Sequence, residues 1–464
     1  MICAWINCLR IMALTSVSSS GPVPEYPLGI GSPMPVQREP LRWTDYALTI
    51  LLHAGLLTAL YSACYCFGLL DYLPEQARLL NWDGNNFYSI AVNDYPTDSK
   101  LGTNAFFPLF PYWWRLTGLD AVGISILNAI WAWVGAGVLA LTFGLTRRQL
   151  LLLLALPSLL FTMVPYGEGL FFFFGALLLR GLHRQQVALV LLGLAGCCLA
   201  RSAGTTFLPA YLFAELLTWD RRKSFGRQLG ELLAGILAVV AAVVLVMWLQ
   251  YRRHGDALAF YNVHSLWGHK FHLPETLLND SAGINVLWLD LAALVVVVVA
   301  LVACLALGVR WLLGLGKAHT DAPRLSKAVL FSLGYAVGAG YFIVFYQNPD
   351  IVGLSRYIFA SPFFFVILAW AWQYQQTQPR LWLGVLTACV LVATLVGWPW
   401  YFDNFMPLEA TWYFVLFTLY CLAFLFIGKA DFRWYRELSV GLYGINLLAL
   451  VYMLNLFLEG VWIN

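Results

Sequence analysis

The sequence predicts an all-α polytopic membrane protein, and three observations carry that prediction. Of the 464 residues 61% are hydrophobic and 11% charged, against roughly 25% charged in a soluble domain. Apolar runs of about 20 residues, each sufficient to cross a hydrocarbon core of about 30 Å, recur along almost the whole chain. The 20 Trp, 23 Tyr and 31 Phe suit a chain with many membrane interfaces, where aromatic rings collect. A net charge of +3, with no basic patch interleaved with aromatics, argues against a nucleic-acid partner.

Taken in order, the chain opens with Ser16 to Ser20 and prolines at 22, 24, 27, 33, 35 and 40. That composition predicts a disordered cytoplasmic segment over residues 1–45. Its first 14 residues lack a basic n-region and a small-residue cleavage site, so no signal peptide is expected. Hydropathy then places spans near 46–69, 121–144, 149–164, 167–180, 185–200, 203–219, 229–250, 284–309, 327–346, 355–373, 381–397, 409–427 and 437–458. The expected architecture is a bundle of about 11–13 transmembrane helices. It divides into a membrane core over 46–380, whose first outer loop covers 70–120, and C-terminal transmembrane helices over 381–464. The nine cysteines, Cys3, Cys8, Cys64, Cys66, Cys197, Cys198, Cys304, Cys389 and Cys421, lie mostly in apolar runs without paired loop spacing. They read as small packing residues, not as disulfides or metal ligands.

Loop charge sets the expected orientation. With the N-terminus inside, 19 Lys and Arg fall in inner loops and 7 in outer ones, with Arg356 just inside a span. Cytoplasmic loops carry the basic excess, so this orientation is favoured. Asp83, Glu168, Arg201 and Arg356 then all fall at the outer ends of spans. Ionisable groups in or beside spans are costly and usually mark function. Their collection at one face, with no repeat between halves and no midplane charge pairs, points to an enzyme acting on a lipid-borne substrate. A transporter is expected to carry charged or broken helices at the midplane.

Each candidate has a plainer reading beside the functional one. Asp83, after Trp82, precedes Phe87, Ile90 and Ala91, spaced for a helix lying on the membrane surface with Asn86 and Asn93 toward water. Asp83 is either the N-cap of that helix or a general base. Asp94 lies 11 residues on, about 16 Å away along a straight helix, too far to share a reacting atom. Glu168, in Pro165-Tyr166-Gly167-Glu168-Gly169, is either a solvated turn residue or a functional carboxylate at the hydrocarbon boundary. Arg201 and Arg356 either snorkel to headgroups or bind phosphate bidentately. In the loop 252–283, His264, His269, His272 and Glu275 make a metal site conceivable through His269 and His272 at i, i+3, but no metal and no other cofactor is expected.

Five segments in order resemble a known family. Trp82-Asp83 through Tyr95, with Ala105-Phe106-Phe107-Pro108, is similar to the first lumenal loop of the GPI mannosyltransferase II (PIG-V) family and its bacterial homologues. Pro165 to Phe171, Ala200-Arg201-Ser202-Ala203-Gly204, Gly255 to Phe260 continuing to Trp267-Gly268, and Ser355-Arg356-Tyr357 with Pro362 resemble the same family in the same order. The resemblance covers roughly residues 75–370. It departs from the family at Asn81, Asn86, Asp94 and Gly167, where Arg, His or Trp, Gly and Ser are the usual residues.

What the resemblance implies is a GT-C glycosyltransferase fold, with an interfacial helix in the first outer loop and catalysis in the core 46–380. The enzyme would transfer a sugar, mannose by resemblance, from a polyprenyl-phosphate donor to a glycolipid or glycan acceptor, with inversion. Asp83 would be the base and Glu168 the second catalytic carboxylate. Trp82, Asp94, Tyr95, Tyr166, Arg201, His264, Trp267, Arg356 and Tyr357 would bind substrate, the two arginines on the donor phosphate. The expected place is a bacterial inner membrane, with the site facing the periplasm and membrane lipids around it. The alternatives are a lipid or sugar translocase, or a non-catalytic subunit of an envelope-glycan assembly.

Overall fold

The computed structural model describes residues 42–95, 102–202, 206–220, 223–266, 268–273, 284–314, 325–347, 351–377 and 433–463. The N-terminal segment 1–41, the expected spans 381–397 and 409–427, and Trp267 lie outside the described residues. Within them all regular structure is helical. Helix α1 (Trp43–Cys66) leads into a single helical turn, Gln76–Leu79, and then to α2 (Asp83–Asn93) and α3 (Leu109–Thr117). There follow α4 (Ala121–Phe143), α5 (Arg147–Leu154), α6 (Glu168–Arg184), α7 (Val187–Ala200), α8 (Phe207–Leu217), α9 (Phe225–His254) and α10 (Ala259–Leu266). The described chain ends with α11 (Ile284–Gly314), α12 (Lys327–Phe342), α13 (Leu354–Phe359), α14 (Pro362–Thr377) and α15 (Arg433–Glu459). A wider π-helical turn, Ile343–Gln347, extends α12.

Six of these elements are long and apolar enough to cross a membrane: Trp43–Cys66, Ala121–Phe143, Phe225–Arg253, Leu289–Gly314, Lys327–Gln347 and Glu437–Glu459. Val187–Ala200, Phe207–Leu217 and Pro362–Trp372 are shorter apolar helices. The protein is a multi-pass integral membrane protein. Two expected spans are broken. The run 149–164 is α5 followed by a tight 3-10 turn, Pro157–Thr162, because proline at 157 has no N–H to continue the ladder. The run 355–373 is interrupted at Ala360 and Ser361, since Pro362 disfavours helical geometry in the residue before it.

Close backbone contact holds α6 against α7. A Cβ on Gly193 would lie 2.6 Å from the Leu178 backbone nitrogen, and one on Gly181 would lie 2.7 Å from that of Val190. Small residues permit such approach where no hydrophobic force separates helix from lipid. Next to this seam, Phe171, Phe207, Phe331, Tyr335 and Phe363 form one aromatic cluster joining α6, α8, α12 and α14. Ring centroids lie between 4.3 Å (Tyr335–Phe363) and 6.2 Å (Phe171–Tyr335), within the range where edge-to-face and offset pairs attract. At the start of α12, Lys327 makes a 2.6 Å ion pair with buried Glu215 of α8.

Helix α2 is amphipathic as its pattern predicts. Gly84, Phe87, Ile90 and Ala91 are buried, while Val92 and Asn93 are exposed and Asn86 is half-buried. Asp83 is the first residue of the helix, not its cap. The capping position is Trp82, and no side chain caps the end.

Candidate functional site

The site is built where four helix ends meet. Glu168 is the first residue of α6, Arg201 follows the last residue of α7, Asp83 opens α2, and Arg356 sits on the short helix α13. The break before Pro362 frees α13 to turn independently of α14. Its position is set by α11: the Ser355 backbone N–H donates to Asp290 Oδ1 at 2.7 Å, and Asp290 is fully buried. The α7 end lies against the turn before α6. A Cβ on Gly167 would meet the Ala200 carbonyl oxygen at 2.9 Å. A Cβ on Gly169 would overlap Asn128 of α4, which fastens the same turn by donating from Nδ2 to the Val164 carbonyl at 2.9 Å.

Charge is concentrated on one carboxylate. Glu168 Oε1 accepts from Arg201 Nη1 at 2.7 Å and also from Arg356 Nε. Asp83 Oδ2 pairs with Arg356 Nη1 at 2.7 Å. The side chains of Glu168, Arg356 and Arg201 are 1%, 9% and 10% exposed, that of Asp83 27%. Glu168 Oε2 is buried and has no hydrogen-bond partner among the described residues. The guanidiniums are sandwiched by rings. Arg356 lies 4.7 Å from the Tyr166 centroid and 5.0 Å from that of Phe161. Arg201 lies 4.5 Å from Tyr357 and 5.7 Å from Phe171. Cation–π contact strengthens when water is excluded. Both acids stand at helix N-termini, where the backbone dipole favours negative charge. The cluster therefore balances two cations against two anions, with the arginine hydrogen-bonding forks oriented and dehydrated.

Asp83, Glu168, Tyr166, Arg201, Arg356 and Tyr357 are thus brought together. Trp82 is half exposed beside them, at φ 52°. Asp94, Tyr95 and His264 are elsewhere. Asp94 pairs with Arg253 and accepts from the Tyr112 hydroxyl at 2.8 Å and the Tyr95 N–H at 2.9 Å. Burial pushes the Asp94 carboxyl up, but these three donors outweigh it and hold its pKa below the ordinary carboxylate value. Tyr95 is buried and donates to the Phe106 carbonyl at 2.7 Å. These contacts fasten the α2–α3 connection to α9, a structural task.

The histidines do not pair at i, i+3. Residues 269–273 are not helical, and His264 instead meets His269, Nδ1 to Nδ1, at 2.9 Å. Among the described residues no group of three His, Cys, Asp or Glu side chains is arranged to hold a metal. Burial, with the neighbouring His264 and His272, pushes His269 down to about 4 from 6.5. A histidine with a depressed folded pKa binds more protons unfolded than folded between those values, so stability rises with pH across that window. Acidification from pH 6.5 toward 4 is therefore expected to lower the unfolding temperature, and His269→Gln to flatten that dependence in a thermal scan.

Asp290 is a site residue that the sequence reading passed over; Phe161 and Phe171 were legible only as apolar neighbours of Glu168, not as partners of the arginines. Asp290 had a legible signal: a carboxylate inside the apolar run Leu289 to Ala300, where charge is costly.

Residues 275–442 match the sulfate permease family. The stretch is a little over a third of the chain, and it contributes Asp290, Arg356 and Tyr357 to the cluster. No curated protein and no solved structure matches the chain. A permease family is a family of membrane transporters, and this match overturns the glycosyltransferase expectation. The PIG-V resemblance, the mannosyltransfer reaction, the polyprenyl-phosphate sugar donor and the glycan acceptor are withdrawn with it. So are the catalytic roles given to Asp83 and Glu168. The physical reason is that aromatic, acidic and arginine residues at helix ends suit any site that holds an anion beside a membrane. Asp83, expected to receive a proton from an acceptor hydroxyl, is held against Arg356 instead.

Proposed function

We propose that the protein is a membrane transporter for a small oxyanion, with Arg201 and Arg356 as the groups that bind it. The observation that carries this reading is that two dehydrated guanidiniums from different helices converge on one buried carboxylate. One of them rides on a short broken helix inside the stretch similar to sulfate permeases. Arginine forks fit tetrahedral and planar oxyanions through two parallel N–H bonds. Transporters build such sites from discontinuous helices whose N-termini face the anion. The breaks at Pro157 and before Pro362, and the starts of α2 and α6 beside the arginines, supply those features.

In this reading the core 46–380 is the transport unit. The N-terminus is cytoplasmic on the basic-loop argument, which sets the arginine cluster toward the non-cytoplasmic end. The test is uptake of radiolabelled sulfate into proteoliposomes of the purified protein, with oxalate, bicarbonate and chloride as competitors. Saturable uptake above that of protein-free vesicles is expected. Absence of uptake of sulfate, and of labelled oxalate and bicarbonate in the same assay, would overturn the reading.

A further inference from the structure

The charge balance of the cluster constrains how an anion can enter it, and this inference rests on the transport reading. Two arginines and two carboxylates already neutralise one another. An incoming oxyanion would leave excess negative charge where water is largely excluded, an arrangement proteins avoid. One resident carboxylate must give way. Glu168 is poorly placed to do so: it is fully buried, accepts from both arginines, and begins a 17-residue helix packed on α4 and α7. Among the described residues Asp83 pairs with Arg356 alone; it is partly exposed and begins an 11-residue helix.

That helix carries a second, independent mark. Among the described residues three non-glycine positions have positive φ, and two of them, Trp82 at 52° and Asp94 at 65°, bracket α2. Strained backbone persists where surrounding contacts over-determine it, and it gathers at elements that switch. Each end of α2 carries an ion pair, Asp83–Arg356 and Asp94–Arg253, and Arg115 also donates to the Ala91 and Ile90 carbonyls near the second. Beneath its first turn the backbone lies so close to the preceding turn that a Cβ on Gly84 would stand 2.7 Å from the Leu79 carbonyl oxygen. Loss of the Asp83 pair would leave that end held by close packing and a strained residue, with Arg253 retaining the other.

We propose that Asp83 is a tethered internal anion: its carboxylate occupies Arg356 until a substrate oxyanion displaces it, releasing the first turn of α2. Affinity is then set by competition between substrate and Asp83. A divalent or bidentate oxyanion outcompetes a singly charged carboxylate, whereas a halide offers one contact point and does not. Asp83 is in this sense a specificity-determining residue.

The test is steady-state sulfate uptake by proteoliposomes of the wild type, Asp83→Asn and Asp83→Glu, with monodispersity checked by gel filtration. Asp83→Asn is expected to lower KM for sulfate about tenfold, as removal of one competing ionic contact of roughly 1.4 kcal/mol would. It is also expected to improve chloride as a competitor. Asp83→Glu, which keeps the competing charge, should hold KM within about threefold of wild type. An Asp83→Asn KM that is unchanged or higher, beside measurable wild-type uptake, overturns the internal anion and leaves the transport reading standing. No wild-type uptake overturns both. Should Asp83→Asn fail to fold, Asn85→Cys on the exposed side of α2 gives a second readout in an otherwise unchanged chain. Its rate of thiol labelling, over the parent's background, is expected to rise when sulfate is added. A rate that does not change overturns the proposal.

Discussion

Glu168→Gln is expected to destabilise the folded protein by about 3 kcal/mol, the scale for breaking a buried ion pair by removing one partner. The carboxylate is the common acceptor of Arg201 and Arg356. Glutamine keeps the size and one acceptor oxygen but removes the charge that makes two dehydrated guanidiniums tolerable side by side. Arg356 retains Asp83, whereas Arg201 has no second carboxylate partner among the described residues and leans on the faces of Tyr357 and Phe171. A drop in the thermal unfolding midpoint in detergent, with Arg201→Gln in the same background restoring part of it, is the expected pattern. A midpoint equal to wild type would show that the cluster is hydrated and that charge balance does not govern it.

Arg356→Ala is expected to reduce oxyanion uptake by roughly 100-fold, on the scale of truncating one member of a buried, hydrogen-bonded charge pair. The loss has two sources. The anion loses one of its two guanidinium partners, and Asp83 loses the only cation paired with it among the described residues. Arg356→Lys tests the geometry separately from the charge. Lysine restores the cation without the planar fork, so it should recover folding more fully than uptake. The readout is initial-rate uptake normalised to correctly oriented protein, alongside the unfolding midpoint of each variant. Wild-type uptake by Arg356→Ala would remove the cluster from the transport path.

The two results are separable because Glu168 and Arg356 do different things in the same cluster. Glu168 is sealed and holds both arginines in place. Arg356 is the member that meets the partly exposed Asp83, and so lies nearer to any entering ligand. Stability should follow the first residue and uptake the second.

Much of the architecture was legible because membrane spans report themselves one at a time. A run of apolar residues about 20 long needs no partner to be recognised, and α1, α4, α9, α11, α12 and α15 stand close to where hydropathy put them. The breaks were less visible. Pro157 and Pro362 lie within runs apolar enough to pass for single spans, and a proline in a membrane helix can be tolerated with a kink. Whether it kinks or ends the helix depends on what neighbouring helices offer the freed carbonyls.

The four ionisable residues of the cluster were also visible, because charge at the edge of an apolar span is costly and stands out. Their pairing was not. Asp83 and Arg356 are separated by most of the chain, and no periodicity links them. The catalytic role expected of Asp83 goes with the enzyme reading; a carboxylate seen alone reads as a base, whereas beside a guanidinium it is half of an ion pair. The histidine contact was not visible either, since His264 meets His269 across a turn at Gly268, φ 73°, not through helical spacing.

What the sequence determined by itself was the class of solvent each residue meets: which segments enter lipid, which charges sit at span ends, and which helix is amphipathic. Those properties depend on transfer from water and are additive along the chain. What only the tertiary structure decided was which charges neutralise which, that Glu168 is dry while Asp83 is not, and that α2 is held at both ends by arginines from distant helices. Electrostatic pairing depends on distance and local dielectric, and neither exists until the helices have packed.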